Sequence, residues 1–320
     1  MKEIKTRKML ALAVAGMLSG MVANTHAATY VGLLDTTAAA NVNNAVGEVA
    51  GTEPVAPSAT GGDGVLQNFK GFDWHSNGAG FVQGYTLGGS GHVVGDTSLF
   101  TLTTQFFAGS ILSSTTTPDL RVANPGPGIG TYEYTALAQL VELATVSSVN
   151  AAGEVTGIDI VTQAGGFFNI YFDTSPEADP VAGTGFNDGS LIISGVFSGG
   201  FSSFSATGPI PQPGVLGSGG GTVFGVVNSV DNTFVNPTMI GTEVGTTLNF
   251  PGTSGTFTRP TLINGLATGT NTATDFVLQT DAFQSFSMIP EPGSLALIGL
   301  GLAGFGFVNY RSRKQGWTPA

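Results

Sequence analysis

Apolar and polar residues alternate singly along several stretches of the chain. In SLFTLTTQF (98–106), Phe100, Leu102, Thr104 and Phe106 share one face, while Thr101, Thr103 and Gln105 share the other. GIDIVTQ (157–163), FFNIYFD (167–173) and TDFVLQTD (274–281) repeat the pattern with β-branched and aromatic residues. A period of two places successive side chains on opposite faces of a pleated strand, so these stretches predict half-buried antiparallel strands. Further strands are predicted at 81–87, 191–197, 222–230 and 246–250. TALAQLVELATV (135–146) also has apolar residues at helical spacing. Its strand-like surroundings, and Tyr132-Glu133-Tyr134 just before it, favour one long strand.

Roughly ten such strands separated by glycine-rich turns predict an all-β body, an antiparallel sandwich of jelly-roll-like form. An outer-membrane barrel is the main rival. It is disfavoured because several acidic residues at outward positions would face lipid, and because the chain does not end on a strand.

The composition supports a folded core. Charged residues are only 10% of the chain and Gly fills 49 of 320 positions, but 22 Phe residues supply the apolar surface that disordered chains lack. There is no Cys, which excludes disulfides, thiolate catalysis and Cys-ligated metals.

Both ends carry targeting signals. Lys2, Lys5, Arg7 and Lys8 precede an apolar run at 9–22, and Thr25-His26-Ala27 offers small residues for a cut after Ala27. This is the pattern of a secretory signal peptide with a signal helix, removed by signal peptidase. Near the other end, Pro290-Glu291-Pro292 leads into an apolar block at 294–308, followed by Arg311, Arg313 and Lys314. Fifteen helical residues span only ~23 Å, enough for a thin transmembrane helix with the bases held on the cytoplasmic side. Glycines inside the block make it a poor lasting anchor, so a transient inner-membrane tether is expected.

The expected organisation is therefore a signal peptide (1–27), a loop-rich segment (28–64) and an extracellular all-β domain (65–287). A sorting and anchor segment (288–314) and a cytoplasmic tail (315–320) follow.

The tail resembles the PEP-CTERM sorting signal of Gram-negative bacteria, with Ile289 in the position where that motif often opens on Val. The resemblance implies processing by an exosortase near the Pro-Glu-Pro triplet and delivery to the cell surface or extracellular matrix. The body, through NFKGFDWHSNGAGFVQGY, NPGPGIGTYEYT and AGTGFNDGSLIISG, is similar to flocculation-associated PEP-CTERM proteins. That similarity implies a structural or adhesive role in biofilm or floc, in contact with exopolysaccharide or with copies of itself.

Between the two signals, residues 28–290 hold 19 acids and only three bases, Lys70, Arg121 and Arg259, a net charge of about −16. Such a body repels nucleic acid, which is not expected as a partner.

Candidate chemistry is sparse. Trp74, in GFDWHSNG with Asp73 and His75, is read either as a sugar-stacking aromatic or, more commonly for a Trp, as a core residue. Asp73, His75 and His92 form a weak metal-ligand set. The acidic stretch 172–190, with Asp173, Glu177, Asp179 and Asp188, reads as a hairpin connection. Its oxygens suit Ca²⁺, although its spacing is that of no known calcium loop, and a solvated turn is the plainer reading. GSGGG (217–221) lacks the lysine of a phosphate loop. With no nucleophile elbow, zinc-binding helix or dinucleotide fingerprint, no catalytic residue is assigned and no cofactor beyond Ca²⁺ is expected. The expected function is a non-enzymatic, acidic surface protein. The alternative is an extracellular carbohydrate-active enzyme or a calcium-stabilised carbohydrate-binding module.

Overall fold

The computed structural model describes residues 28–30, 32–35, 65–113, 120–121, 133–173, 177–211, 217–251 and 257–288, which lie in one compact unit, Thr29–Met288, apart from Ala28. Ala27, the Pro290-Glu291-Pro292 triplet and Arg311, Arg313 and Lys314 lie outside these residues, as do the expected signal and membrane helices. Among the described residues 66% are in strands and there is no helix.

The strands are β1 (Ala28–Thr29), β2 (Gly32–Asp35), β3 (Val65–Trp74), β4 (Gly78–Gln83), β5 (Thr97–Ser113), β6 (Leu120–Arg121), β7 (Glu133–Val149) and β8 (Val155–Asp173). They continue with β9 (Ser190–Ala206), β10 (Gly217–Val230), β11 (Val235–Asn236), β12 (Glu243–Phe250), β13 (Leu262–Ile263), β14 (Leu266–Ala267) and β15 (Phe276–Met288). The ambiguous stretch 135–146 lies wholly within β7, so the strand reading holds. GSGGG opens β10.

Apart from 81–87, which runs past the end of β4 at Gln83, and 274–281, which begins two residues before β15, the predicted segments are pieces of longer strands. The long strands pair antiparallel in chain order: β5 with β7, then β8, β9, β10, β12 and β15. β15 then pairs with both β3 and β4, which together flank β5. The ladder can be followed round. Phe100 pairs with Glu142, Glu142 with Thr162, Thr162 with Gly200 and Gly200 with Val223. Val223 pairs with Thr246, Thr246 with Gln284, Gln284 with Phe72, and Phe72 with Ile111. The circuit leaves β5 at Phe100 and returns to it at Ile111, eleven residues along, the stagger that a closed barrel requires.

The sheet is thus an up-and-down barrel of eight staves, β3 and β4 sharing one. This corrects the expected sandwich or jelly roll, in which two sheets would face each other. Strand alternation is the same in both architectures, and only the β15–β3 and β15–β4 pairings distinguish them.

Glycine makes the long staves possible. β8 shifts register between Thr162 and Phe167, across Ala164-Gly165-Gly166. Gly165 has φ +113°, and a Cβ on Gly166 would meet the Gln139 carbonyl at 2.2 Å. Only glycine fits this bulge, which lets a 19-residue strand bend around the barrel.

The lumen is filled with apolar side chains. Phe72 stacks on Trp74 (5.0 Å) and tilts against Tyr134 (5.5 Å), which meets Phe172 (5.2 Å). Trp74 is 3% exposed, so it is the core tryptophan and not an exposed sugar platform. Exposed outward positions include Asp159, Ser203, Ser205, Thr247 and Asn249. A membrane-spanning barrel has the reverse arrangement, a polar lumen inside an apolar girdle. No helix among the described residues is long and apolar enough to cross a membrane.

β1 and β2 bring residues 28–29 and 32–35 into the same sheet, beside β15 and β3, and β11 extends β2. Tyr30 and Phe69 join the core at that end of the barrel, where the Tyr30 hydroxyl donates to the Pro237 carbonyl.

Candidate functional sites

Three places hold the residues singled out by sequence. The first is the β8–β9 connection. Residues 177–189 fold back over the outer face of β5, β7 and β8, where Ala178 and Phe186 pack on Phe107 and Leu137. Glu133, at the start of β7, anchors the connection. Its Oε1 accepts the backbone N–H of Glu177 (2.9 Å) and of Ala178 (3.1 Å), and Thr135 donates to the Phe186 carbonyl (2.9 Å). Residues 261–262 run alongside, Thr261 and Leu262 donating backbone N–H groups to Val181 and Ala182.

Within this connection Asp179 Oδ1 accepts the N–H groups of Val181 (2.8 Å) and Ala182 (3.0 Å), the usual work of an aspartate in a turn. Glu177 and Asp188 are exposed and Asp173 closes β8. Among the described residues no group of three or more His, Asp or Glu side chains converges as a metal site would require.

The second place is the bend between β3 and β4. The His75 ring stacks on Phe107 (4.8 Å), its Nδ1 accepts the Asn77 N–H (3.2 Å), and burial lowers its pKa against the opposing pull of Asp281 and Asp73. Asp73 accepts from Ser110 (3.4 Å). His92 is instead in the β4–β5 connection, 3.4 Å from Asp96. The three do not form one site.

The third place was not singled out beforehand. Glu142 points into the lumen, on the same face of β7 as Leu140 and Ala144. Its Oε1 accepts from Thr162 (3.1 Å), and its Oε2 is enclosed with no hydrogen-bond partner. Burial pushes its pKa up to about 7, against the smaller opposing pull of the Thr162 bond. Glu133 is also raised to about 7. There burial outweighs two backbone hydrogen bonds, and the charges of Asp173 and Asp188 add to it. The strand reading of 135–146 rested on its surroundings, and the inward place of Glu142 emerges only from the burial pattern of β7.

On the outer wall away from these connections, Leu99, Leu143, Val161 and Phe201 pair in sequence across β5, β7, β8 and β9. Leu99, Val161 and Phe201 are 61%, 49% and 66% exposed, so the row is bare apolar surface.

Residues 289–314 match the PEP-CTERM protein-sorting motif. The chain thus carries a PEP-CTERM sorting motif, the signal of an exported protein targeted to an exosortase. The motif implies surface or extracellular localisation in a Gram-negative bacterium. No curated protein and no solved structure is significantly similar to the chain.

Proposed function

We propose that the barrel is an acidic surface or matrix protein whose work is association, with exopolysaccharide or with copies of itself, in biofilm or floc. The observation that carries this reading is the joining of a sorting motif at 289–314 to a body with 19 acids and three bases. Among the described residues only Glu133 and Glu142 are buried acids. The other described acids with assigned burial are at least partly exposed, where divalent cations can bridge them to acidic polymers or to a neighbouring barrel. The tail acts as a temporary inner-membrane tether, cut by exosortase after signal peptidase has released Ala28. The role is associative and needs no catalytic residue.

Deleting the gene is expected to reduce cell aggregation and matrix retention, and a chain lacking residues 289–314 is expected not to restore them. Unchanged aggregation in the deletion strain would sink the proposal. Intact masses from culture supernatant and washed membranes test the processing separately. A soluble species running from Ala28 to near Pro290-Glu291-Pro292 is expected, and a membrane species retaining Arg311 to Lys314 would make the tail a lasting anchor.

A further inference from the structure

We propose that the barrel end formed by Phe100, Ile160, Phe204, Phe250 and Phe276 binds a small neutral molecule, a single aromatic ring carrying a hydroxyl group. A cavity of about 130 Å³ lies there, walled by residues of seven staves and by Ile210. The chain after β9 folds over this end, with the Ile210 N–H donating to the Val155 carbonyl (2.8 Å). Partly exposed Pro209, Pro211, Pro251 and Asn271 also line the cavity and mark its mouth. The opposite end is closed by Tyr30, Leu34, Phe69 and Phe286, so the two ends of the lumen differ.

Size and chemistry set the ligand class. An engineered cavity of ~150 Å³ lined by aliphatic and aromatic side chains takes up benzene, so this volume suits one ring and not an extended lipid chain. None of the lining residues is charged, which disfavours an ionic ligand. Eight-stranded barrels of this kind have room for one small ligand.

Three polar side chains line the cavity, Tyr85, Asn271 and Gln279, and of these Tyr85 and Gln279 each hold an oxygen with no partner. The Tyr85 ring meets Phe100 (6.0 Å) and Phe276 (5.7 Å) edge-on, is 1% exposed, and holds a hydroxyl with no hydrogen-bond partner. A buried hydroxyl left unpaired is costly, and a ligand hydroxyl entering the cavity supplies the missing bond. The Tyr85 backbone is held by its N–H to the Thr274 carbonyl (2.9 Å).

The test is a titration of the purified protein in detergent-free buffer, followed by NMR, with toluene and phenol. These probes match in shape and differ by one hydroxyl. Both are expected to bind saturably at one site. Tyr85→Phe is expected to weaken phenol about fivefold, the loss of one net hydrogen bond, and to leave toluene unchanged. Ile160→Trp fills the cavity and is expected to abolish both, with circular dichroism reporting whether the barrel is intact; if that variant does not fold, Leu278→Phe takes its place. Failure of either probe to saturate, phenol binding indifferent to Tyr85→Phe, or binding that persists in a folded, cavity-filled variant each overturns the proposal.

Discussion

β7 buries one carboxyl on each of its faces, nine residues apart. Glu142 sits in the lumen among aromatic and aliphatic side chains and has one hydroxyl for company. Glu133 sits on the outer face, under the β8–β9 connection, and holds two backbone amides. Burial raises both to about 7. The consequences differ because the partners differ. Glu133 satisfies N–H groups that would otherwise be orphaned, so it organises a connection. Glu142 satisfies a single threonine and leaves an oxygen unpaired, so it costs the lumen stability whenever it is ionised.

The comparison breaks most sharply at the lumen itself. Phe72 is fully buried against Phe69, Trp74 and Tyr134. Phe72→Ala is expected to destabilise the barrel by about 3–5 kcal/mol in chemical denaturation, through lost transfer energy and a residual cavity.

Next comes pH. Both glutamates have folded pKa values above the usual 4.5, so each contributes stability that is fully present below that value and lost as pH rises through about 7. The melting temperature is expected to fall between pH 5 and pH 8. Glu142→Gln should flatten part of that slope and raise stability at pH 8 by up to about 3 kcal/mol. A wild-type melting curve unchanged across that range would contradict the burial argument for both groups.

Glu133→Ala should behave in the opposite way. It strands the amides of Glu177 and Ala178, at a cost of about 1–3 kcal/mol. Hydrogen exchange should rise across 177–189 while the lumen strands stay protected. Equal loss of protection in both regions would mean that the connection and the barrel unfold as one unit.

The smallest effect is expected on the bare wall. Phe201→Ser removes a side chain that is 66% exposed and should change stability by no more than about 0.5 kcal/mol. That makes it a clean variant for measuring what the apolar row contributes to association.

Much of this was legible along the chain. Strand alternation identified most of the staves because a two-residue period directly reports a half-buried strand, while 135–146, whose apolar spacing also fits a helix, was read correctly as a strand from its surroundings. The acidic stretch between β8 and β9 was recognisable as a connection from its Asp, Pro and Gly residues. Its attachment to Glu133 was not, since the two are 44 residues apart and joined only by packing. Trp74 illustrates the same limit. Its neighbours Asp73 and His75 look like a polar site on paper, yet the pleat turns Trp74 into the lumen, where it lies against Phe72 and Phe106.

The sequence by itself determined the destination of the protein and its strand content. Sorting motifs are read as linear segments, and alternation is a local property of the chain. The tertiary structure alone decided that the staves close into one barrel instead of two facing sheets, because closure depends on pairing between β15 and strands some two hundred residues earlier. It also decided which buried carboxyl gains backbone partners and which does not, and that one end of the lumen is plugged while the other encloses a cavity. Those outcomes depend on the stagger of the ladder, which no local pattern encodes.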